Sequence, residues 1–578
     1  MNQKYSPEIN VQVVVCLLKK HGIKNIIASP GATNVALLGT LQGDPFFNIY
    51  SAVDERSAAY MACGMAQESG EPVVLSCTGA TASRNYVPGL TEAYYRKLPV
   101  LAITSCQAIP RIGHLVAQVI DRETIQNDIA KLAVTLPIVK DDEELWDCQI
   151  KVNKALIGLS RDGGGPVHIN LPTTYKLPFI TGKMPEYRYI QRITNFKSSP
   201  KLKSSVGIFI GSKSQWSQSE TEALDKFCEE NNGAVFCDHT SGYKGKYRLL
   251  FGLVGGQVLM RKDAFKPDVT IHIGEVSGDY YSHTVIGHEV WRVSPDGEVR
   301  DTFRKLKYIF EMNEEDFFNH YSYNNEKREM SFFQSCKEAL DDMRDRIPEI
   351  PLSNIWVASQ LHNKIPDGSV LHFGILNSLR SWNFFEVDKT ITTNTNVGGF
   401  GTDGILSAVI GASLASPNRL CFCVLGDLAF FYDMNSLGNR HVGNNLRILI
   451  INNGKGTEFR NSNHQAAYFK ESADEYIAAA GHFGNKSKSL AKNFVESLGF
   501  EYISANSKEA FRLSYKRFVD EKVNKSIVFE VFTDSYDESL ALEKMLNIQQ
   551  DNDLKMKAKT KKILGNKGLK TVKTILRR

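Results

Sequence analysis

Two apolar runs in the C-terminal half, RLCFCVL and LRILII, each stop at a residue able to bind a metal: Gly426-Asp427 after the first, Asn452-Asn453 after the second. Runs that are apolar throughout, separated by a helix-length polar segment, read as neighbouring parallel strands covered on both faces. Parallel strands point their carboxyl ends the same way. Asp427 and Asn453 then meet at the sheet edge where open α/β folds bind ligands. A carboxylate and an amide are both hard oxygen donors, suited to an octahedral cation such as Mg²⁺ that keeps phosphate oxygens in its shell. The chemistry implied is a magnesium-bound diphosphate. A helix cap at Asp427 and a turn at Asn452-Asn453-Gly454 are the structural alternatives.

The chain is 578 residues long, room for about three large α/β domains. Strands alternating with helical segments predict three doubly wound parallel sheets, in blocks at 1–180, 200–335 and 350–545, with a basic tail at 550–578. The first block opens with an amphipathic helix, NVQVVVCLLKKHG, and carries the strands IIAS, FNIYSAV, PVVLSCT and VLAITS. A Pro/Lys/Ser-rich stretch from Pro172 to Lys203 reads as a linker. The hydrophobic fraction of 42% and charged fraction of 23% are those of a soluble globular protein. No apolar run approaches the ~20 residues of a membrane span, and MNQKYSPEIN has no signal-peptide core. A cytoplasmic location is expected. The ten cysteines are scattered without a CxxC pair, which reads as reduced core residues rather than a zinc site or disulfide framework. The net charge of +5 is concentrated in KMKAKTKKILGNKGLKTVKTILRR, Lys555 to Arg578. This tail reads as a solvated end, with contact to a membrane surface the less favoured reading and nucleic acid not expected.

A second chemical candidate is Glu55 in SAVDERSAAYMACGMAQESG, at the end of a strand and the start of a small-residue helix. Burial there would raise its pKa and fit it for proton transfer near neutrality. A first-turn carboxylate stabilised by the helix dipole is the plain alternative. Taken together, Gly426-Asp427, about two dozen residues and then Asn452-Asn453, with Asp54-Glu55-Arg56-Ser57-Ala58 upstream, resemble the enzymes that depend on thiamine diphosphate. Ser29 to Thr33 (SPGAT), Thr78 to Asn85 (TGATASRN) and the segment NVGGFGTDGILSAVIGASLA extend the resemblance over nearly the whole chain.

The resemblance implies pyrimidine-binding, middle and diphosphate-binding domains in that order. It implies Mg²⁺ on Asp427, Asn453 and the main-chain carbonyl of Lys455. Pro30, Gly31, Thr78, Gly79, Asn85, Asn377, Ser378, Phe400, Thr402, Gly426, Leu428 and Ala429 would join them around the cofactor. Glu55 would bond the aminopyrimidine and activate the cofactor. Gln118 would reach substrate, and His464 and Glu458 would assist proton transfer, a surface loop being the alternative for His464. Each site would be shared between subunits of a homodimer or homotetramer. No flavin is expected, and VGIFIGSKSQ in the middle block is not specific for one.

The wording GDLAFFYDMN, AQVID and DERSAA is most similar to the acetolactate synthase and menaquinone-pathway synthase branch. That synthase places arginines where this chain has Thr33 and Val397, and neither residue reproduces the fork that grips a carboxylate. Arg380 is the residue left to hold part of such a site. Thr402 stands where a bulky aliphatic residue usually props the thiazolium, and Ala429 where a Ser usually bonds the diphosphate. The reaction expected is decarboxylation of a 2-oxoacid, of which pyruvate is the simplest candidate, with transfer of the remaining acyl-anion unit to an acceptor. Simple decarboxylation to an aldehyde, and a regulatory protein that binds the cofactor without turnover, are the alternatives.

Overall fold

The computed structural model describes residues 3–213, 215–322, 330–462, 464–482 and 487–556, so the basic tail beyond Met556 lies outside the described residues. The chain divides into two units, Met1–Ser198 with Pro295–Glu311, and Ser199–Ser294 with Met312–Arg578.

In the first unit six parallel strands lie in the order Asn48–Ser51, Asn25–Ala28, Val73–Thr78, Val100–Cys106, Val167–Pro172, Leu132–Thr135. One face is covered by the helices Ile9–Lys20, Val35–Leu41 and Asp142–Gly158, the other by Glu55–Ser69 and Val87–Tyr95. Each fully buried Leu, Ile or Val contributes roughly 1.5–3 kcal/mol, and this double cover explains strands that read as unbroken apolar runs. The small residues of helix Glu55–Ser69 serve a close approach. Ala58, Ala59 and Ala62 are fully buried, and a Cβ added to Gly89 of the facing helix would come within 2.4 Å of the Ala59 Cβ.

Two expectations change here. Helix Ile9–Lys20 is buried on every side from Asn10 to Leu18 rather than amphipathic. Its polar side chains are satisfied internally, Asn10 Nδ2 donating to the Pro172 carbonyl at 2.7 Å and Gln12 Nε2 to that of Ser6 at 2.8 Å. The stretch from Pro172 to Lys203 is not a free linker. Ile180–Gly182 pairs antiparallel with Gln3–Tyr5, and Gln191–Ile193 pairs parallel with Leu306–Phe310. Three-residue strands are too short to show a periodicity.

The second unit holds two sheets. Parallel strands Arg248–Leu250, Gly233–Cys237, Val206–Ile210, Val269–Ile273 and Glu289–Val293 neighbour one another in that order. The other sheet runs Thr392–Thr395, Val370–Phe373, Cys421–Gly426, Leu446–Asn452, Ile527–Phe532, Glu501–Ala505, again all parallel. Helices Ile405–Ala415 and Leu490–Ser497 cover one face, while Phe511 of helix Lys508–Phe518 stacks on Phe529, and Phe518 packs on it at a tilt, from the other. This sheet repeats the strand order of the first unit's sheet. In both, the first strand connects to a neighbour on one side and the third strand lies on its other side. That reversal opens a crevice at the carboxyl ends. All ten cysteines are free and buried. Among the described residues no helix is long and apolar enough to cross a membrane.

Candidate active site

At the crevice of the C-terminal sheet, Cys421–Gly426 and Leu446–Asn452 run in parallel register with Gly426 opposite Ile451. Asp427 therefore opens helix Asp427–Asp433 just where Asn453 leaves its strand. The Asn453 amide donates to Asp427 Oδ1 at 3.5 Å. Asp427 Oδ2 and Asn453 Oδ1 are both buried and have no hydrogen-bond partner. Two unsatisfied acceptors at one spot cost roughly 1–3 kcal/mol each, and only a donor or a cation can repair that. Burial pushes Asp427 up to about 7, so ionising it at neutral pH calls for a counter-charge.

Lys455 lines the same cavity as these oxygens, and its carbonyl accepts from the Thr457 hydroxyl at 3.4 Å. Its own ammonium is turned away, on Asp474 Oδ2 at 2.6 Å. Among the described residues no cluster of three or more His, Cys, Asp or Glu could hold a metal. A cation with few protein ligands, its shell completed by water and phosphate oxygens, is the coordination Mg²⁺ favours.

A cavity of about 130 Å³ lies over these oxygens. Gly426, Asp427, Leu428, Ala429, Asn453 and Lys455 line it from the two strand ends, Asn377 and Ser378 from the first turn of helix Asn377–Trp382, and Leu376 and Thr402 from the loops before and beyond that helix. Those loops carry strained backbone: Leu376, which starts helix Asn377–Trp382, has φ +65°, and Phe400 has φ +55°. Non-glycine residues rarely adopt this region, and it recurs where a loop is held for a ligand. The Phe400 ring centroid lies 5.7 Å from that of Tyr280.

Arg380 does not offer a free fork. Its Nη1 and Nη2 donate to the two oxygens of Glu458 at 2.7 and 2.9 Å. Burial works against the Arg380 charge, but the Glu458 carboxylate outweighs it and holds the guanidinium above its usual pKa. His464 accepts the Ala466 amide on Nδ1 at 3.1 Å and so caps helix Gln465–Ala473. Val397 is buried.

Glu538 went unnoticed in the sequence because a lone acid in helix Ser535–Leu546 looks like a solvated residue. It is buried and lines the cavity, accepting the Asn354 amide on both oxygens at 3.0 Å and the Thr533 hydroxyl at 2.8 Å. Burial raises it from an ordinary 4.5 to about 7. A carboxyl raised by folding adds stability below its unfolded value and loses that contribution as pH climbs through the folded one. In the cofactor-free protein, the stability of wild type relative to Glu538→Gln is therefore expected to fall between pH 4.5 and 7. Denaturant midpoints of both proteins across that range measure it, and a flat difference would contradict the burial.

In the first unit the crevice lies between Asn25–Ala28 and Val73–Thr78. A Cβ added to Gly31 would lie 1.9 Å from Thr78 Cγ2, so the Pro30-Gly31 loop can press on the Thr78-Gly79 loop only as glycine. A Cβ on Gly79 would come within 3.0 Å of the buried Arg122 side chain. The Thr33 hydroxyl is spent on the Ser105 carbonyl at 2.7 Å. Glu55 begins its helix after the Asp54 cap, and Asn85 Nδ2 donates to Glu55 Oε2 at 3.1 Å. Within one chain Glu55 is only half-buried, so its own surroundings do not supply the low-dielectric setting expected of it. Gln118 is exposed on a loop, with φ +63°.

Residues 10–133 match the thiamine pyrophosphate enzyme N-terminal TPP binding domain, and residues 377–531 match the C-terminal TPP binding domain of the same enzymes. The chain belongs to the thiamine diphosphate-dependent enzyme superfamily. Its relatives include the 2-succinyl-5-enolpyruvyl-6-hydroxy-3-cyclohexene-1-carboxylate synthase of Bacteroides fragilis, 29% identical over 554 residues that cover 92% of this chain and 97% of that protein. The synthases of the same name from Bacteroides thetaiotaomicron and Christiangramia forsetii are each 28% identical, over 560 and 598 residues. Both alignments cover 92% of this chain, with 96% and 97% of the respective relative. Thiamine diphosphate is accordingly the cofactor of this enzyme. The matched segments contain Glu55 and the Gly31 and Thr78 loops in one, and Asp427 and Asn453 in the other. Asn354 and Glu538 of this thiamine diphosphate enzyme lie outside both.

Proposed function

We propose that the protein decarboxylates a 2-oxoacid and joins the remaining acyl unit to a carbonyl acceptor, using thiamine diphosphate and Mg²⁺. The observation that carries the metal and diphosphate part is the pair of buried, unpartnered oxygens, Asp427 Oδ2 and Asn453 Oδ1, at two neighbouring strand ends. When bound, thiamine diphosphate supplies a nucleophilic carbon and an electron sink, which lets a 2-oxoacid lose carbon dioxide and its acyl carbon attack a second carbonyl.

The chain's own residues divide the remaining work. Asp427, Asn453 and the Lys455 carbonyl would hold Mg²⁺, and the main chain of Leu428 and Ala429 would bind the diphosphate, no Ser side chain being present there. Thr402 offers a methyl group beside the ring. Glu55, oriented by Asn85 on Oε2, keeps Oε1 for a proton at a ring nitrogen of the pyrimidine. Half-burial in one chain fits a carboxylate that is enclosed only when the cofactor and a second subunit cover it. We place Glu55 of one subunit and Asp427 of another in each site of a homodimer or homotetramer.

The named relatives make a product carrying succinyl and ring carboxylate groups. This chain differs where such groups would be gripped: Thr33 is spent on a main-chain carbonyl and Val397 is buried. A different donor and acceptor follow, with pyruvate the donor to try first. Carbon dioxide release and products identified by mass spectrometry, with pyruvate alone and then with aldehyde or ketone acceptors, test the proposal. Ligation predicts faster release with a matching acceptor and a product bearing a new carbon–carbon bond. Equal release with free aldehyde as the sole product would mean simple decarboxylation, and cofactor binding without any release would mean a regulatory role.

A further inference from the structure

We propose that the Arg380–Glu458 ion pair selects the donor acid, closing the cavity to 2-oxoacids with a second carboxylate and admitting short monocarboxylic ones. The inference rests on the 2-oxoacid reading above. Glu458 lines the same cavity as Asp427 and Asn453. Both its oxygens are held by Arg380, and Asn461 Nδ2 adds a third hydrogen bond to Oε2 at 3.1 Å. Arg380 Nη1 also donates to Asn377 Oδ1 at 3.0 Å, and Asn461 Nδ2 reaches the same oxygen at 3.3 Å. With side chains only 18% and 19% exposed, the pair is held in place, Glu458 on the cavity wall and Arg380 behind it.

A bidentate guanidinium–carboxylate contact uses up the geometry by which arginine would grip a substrate carboxylate. Lys455, the cationic residue that lines the cavity, is paired with Asp474, and Arg380 stands behind Glu458, lining the neighbouring pocket with Asp279 and Tyr281. A second carboxylate on the donor would thus meet the Glu458 anion with neither of these cations open to it, in a space where charge repulsion is poorly screened. An uncharged substituent meets Ile375, Leu376 and Phe459 instead.

The test uses the full chain loaded with thiamine diphosphate and Mg²⁺, titrated calorimetrically with acetylphosphonate and succinylphosphonate, unreactive analogues of a monocarboxylic and a dicarboxylic donor. Wild type is expected to bind acetylphosphonate at least tenfold more tightly. Glu458→Ala frees Arg380 and is expected to shift that ratio at least tenfold toward succinylphosphonate, a gain that adding Arg380→Met removes. If Glu458→Ala does not fold, Glu458→Gln, which keeps the volume and loses the charge, is expected to shift the ratio the same way by at least threefold. A ratio within twofold of wild type in the variants, or a wild type that prefers succinylphosphonate, overturns the inference. Turnover separates the two levels. Wild type that releases carbon dioxide from no 2-oxoacid defeats the underlying reading and the inference with it, whereas normal release with an unmoved ratio defeats the inference alone.

Discussion

Replacing Asp427 with Asn is expected to weaken thiamine diphosphate binding in the presence of Mg²⁺ by about 100-fold or more, while making the cofactor-free protein more stable. Altering groups that merely support a metal ligand costs about 10–100-fold in affinity, and Asp427 is the one carboxylate among the three proposed ligands. The gain in stability has a separate origin. Asp427 is 3% exposed, its Oδ2 has no partner, and burial pushes its pKa to about 7. An amide of the same shape carries no charge and brings donors to a place with an unpartnered acceptor, Asn453 Oδ1. Relieving one such unsatisfied group is worth about 1–3 kcal/mol. Calorimetric titration of cofactor with and without Mg²⁺, beside denaturant midpoints of the cofactor-free proteins, reads both effects. Unchanged affinity would remove Asp427 from the metal site; lost affinity together with lost stability would point to a general disruption.

Glu55→Gln is expected to lower turnover by roughly 10²–10⁴-fold, the range of a positioned acid–base group, and to leave cofactor affinity within a few-fold of wild type. Glutamine keeps the shape and still accepts from Asn85 on its single oxygen. It cannot take up the proton that a carboxylate would exchange with a ring nitrogen. Asn85→Ala serves as the contrasting variant, since it loosens Glu55 without removing its charge; a smaller drop in turnover is expected from it. Steady-state rates with separately measured cofactor affinity decide the matter. Turnover above a tenth of wild type in Glu55→Gln, or a loss explained entirely by weaker cofactor binding, would rule out the proton-transfer role.

Much of this site lies on the surface of the sequence because strand ends are local features. The run LRILII can only be a buried strand, and Asn453 follows it at once, so its placement needs no knowledge of distant residues. Thr78-Gly79 and Glu55 follow their strands in the same way. Small residues were legible too, although their reason was not. Gly31 and Ala59 exist for approaches to Thr78 and Gly89, which the chain order does not reveal.

What the sequence alone determined is the doubly wound parallel fold and the arrival of Asp427 and Asn453 at neighbouring strand ends. These follow from periodicity and from the fixed polarity of parallel strands, which carry over any distance along the chain. Only the tertiary structure decided how the polar side chains are spent. It turned Thr33 onto Ser105, locked Arg380 onto Glu458, made His464 a helix cap, and brought Glu538 from outside both matched segments to the cavity wall. The physical reason is that a hydrogen bond or ion pair is a property of two groups that meet in space. Asn354 and Glu538, far apart along the chain, touch only because two helices pack together.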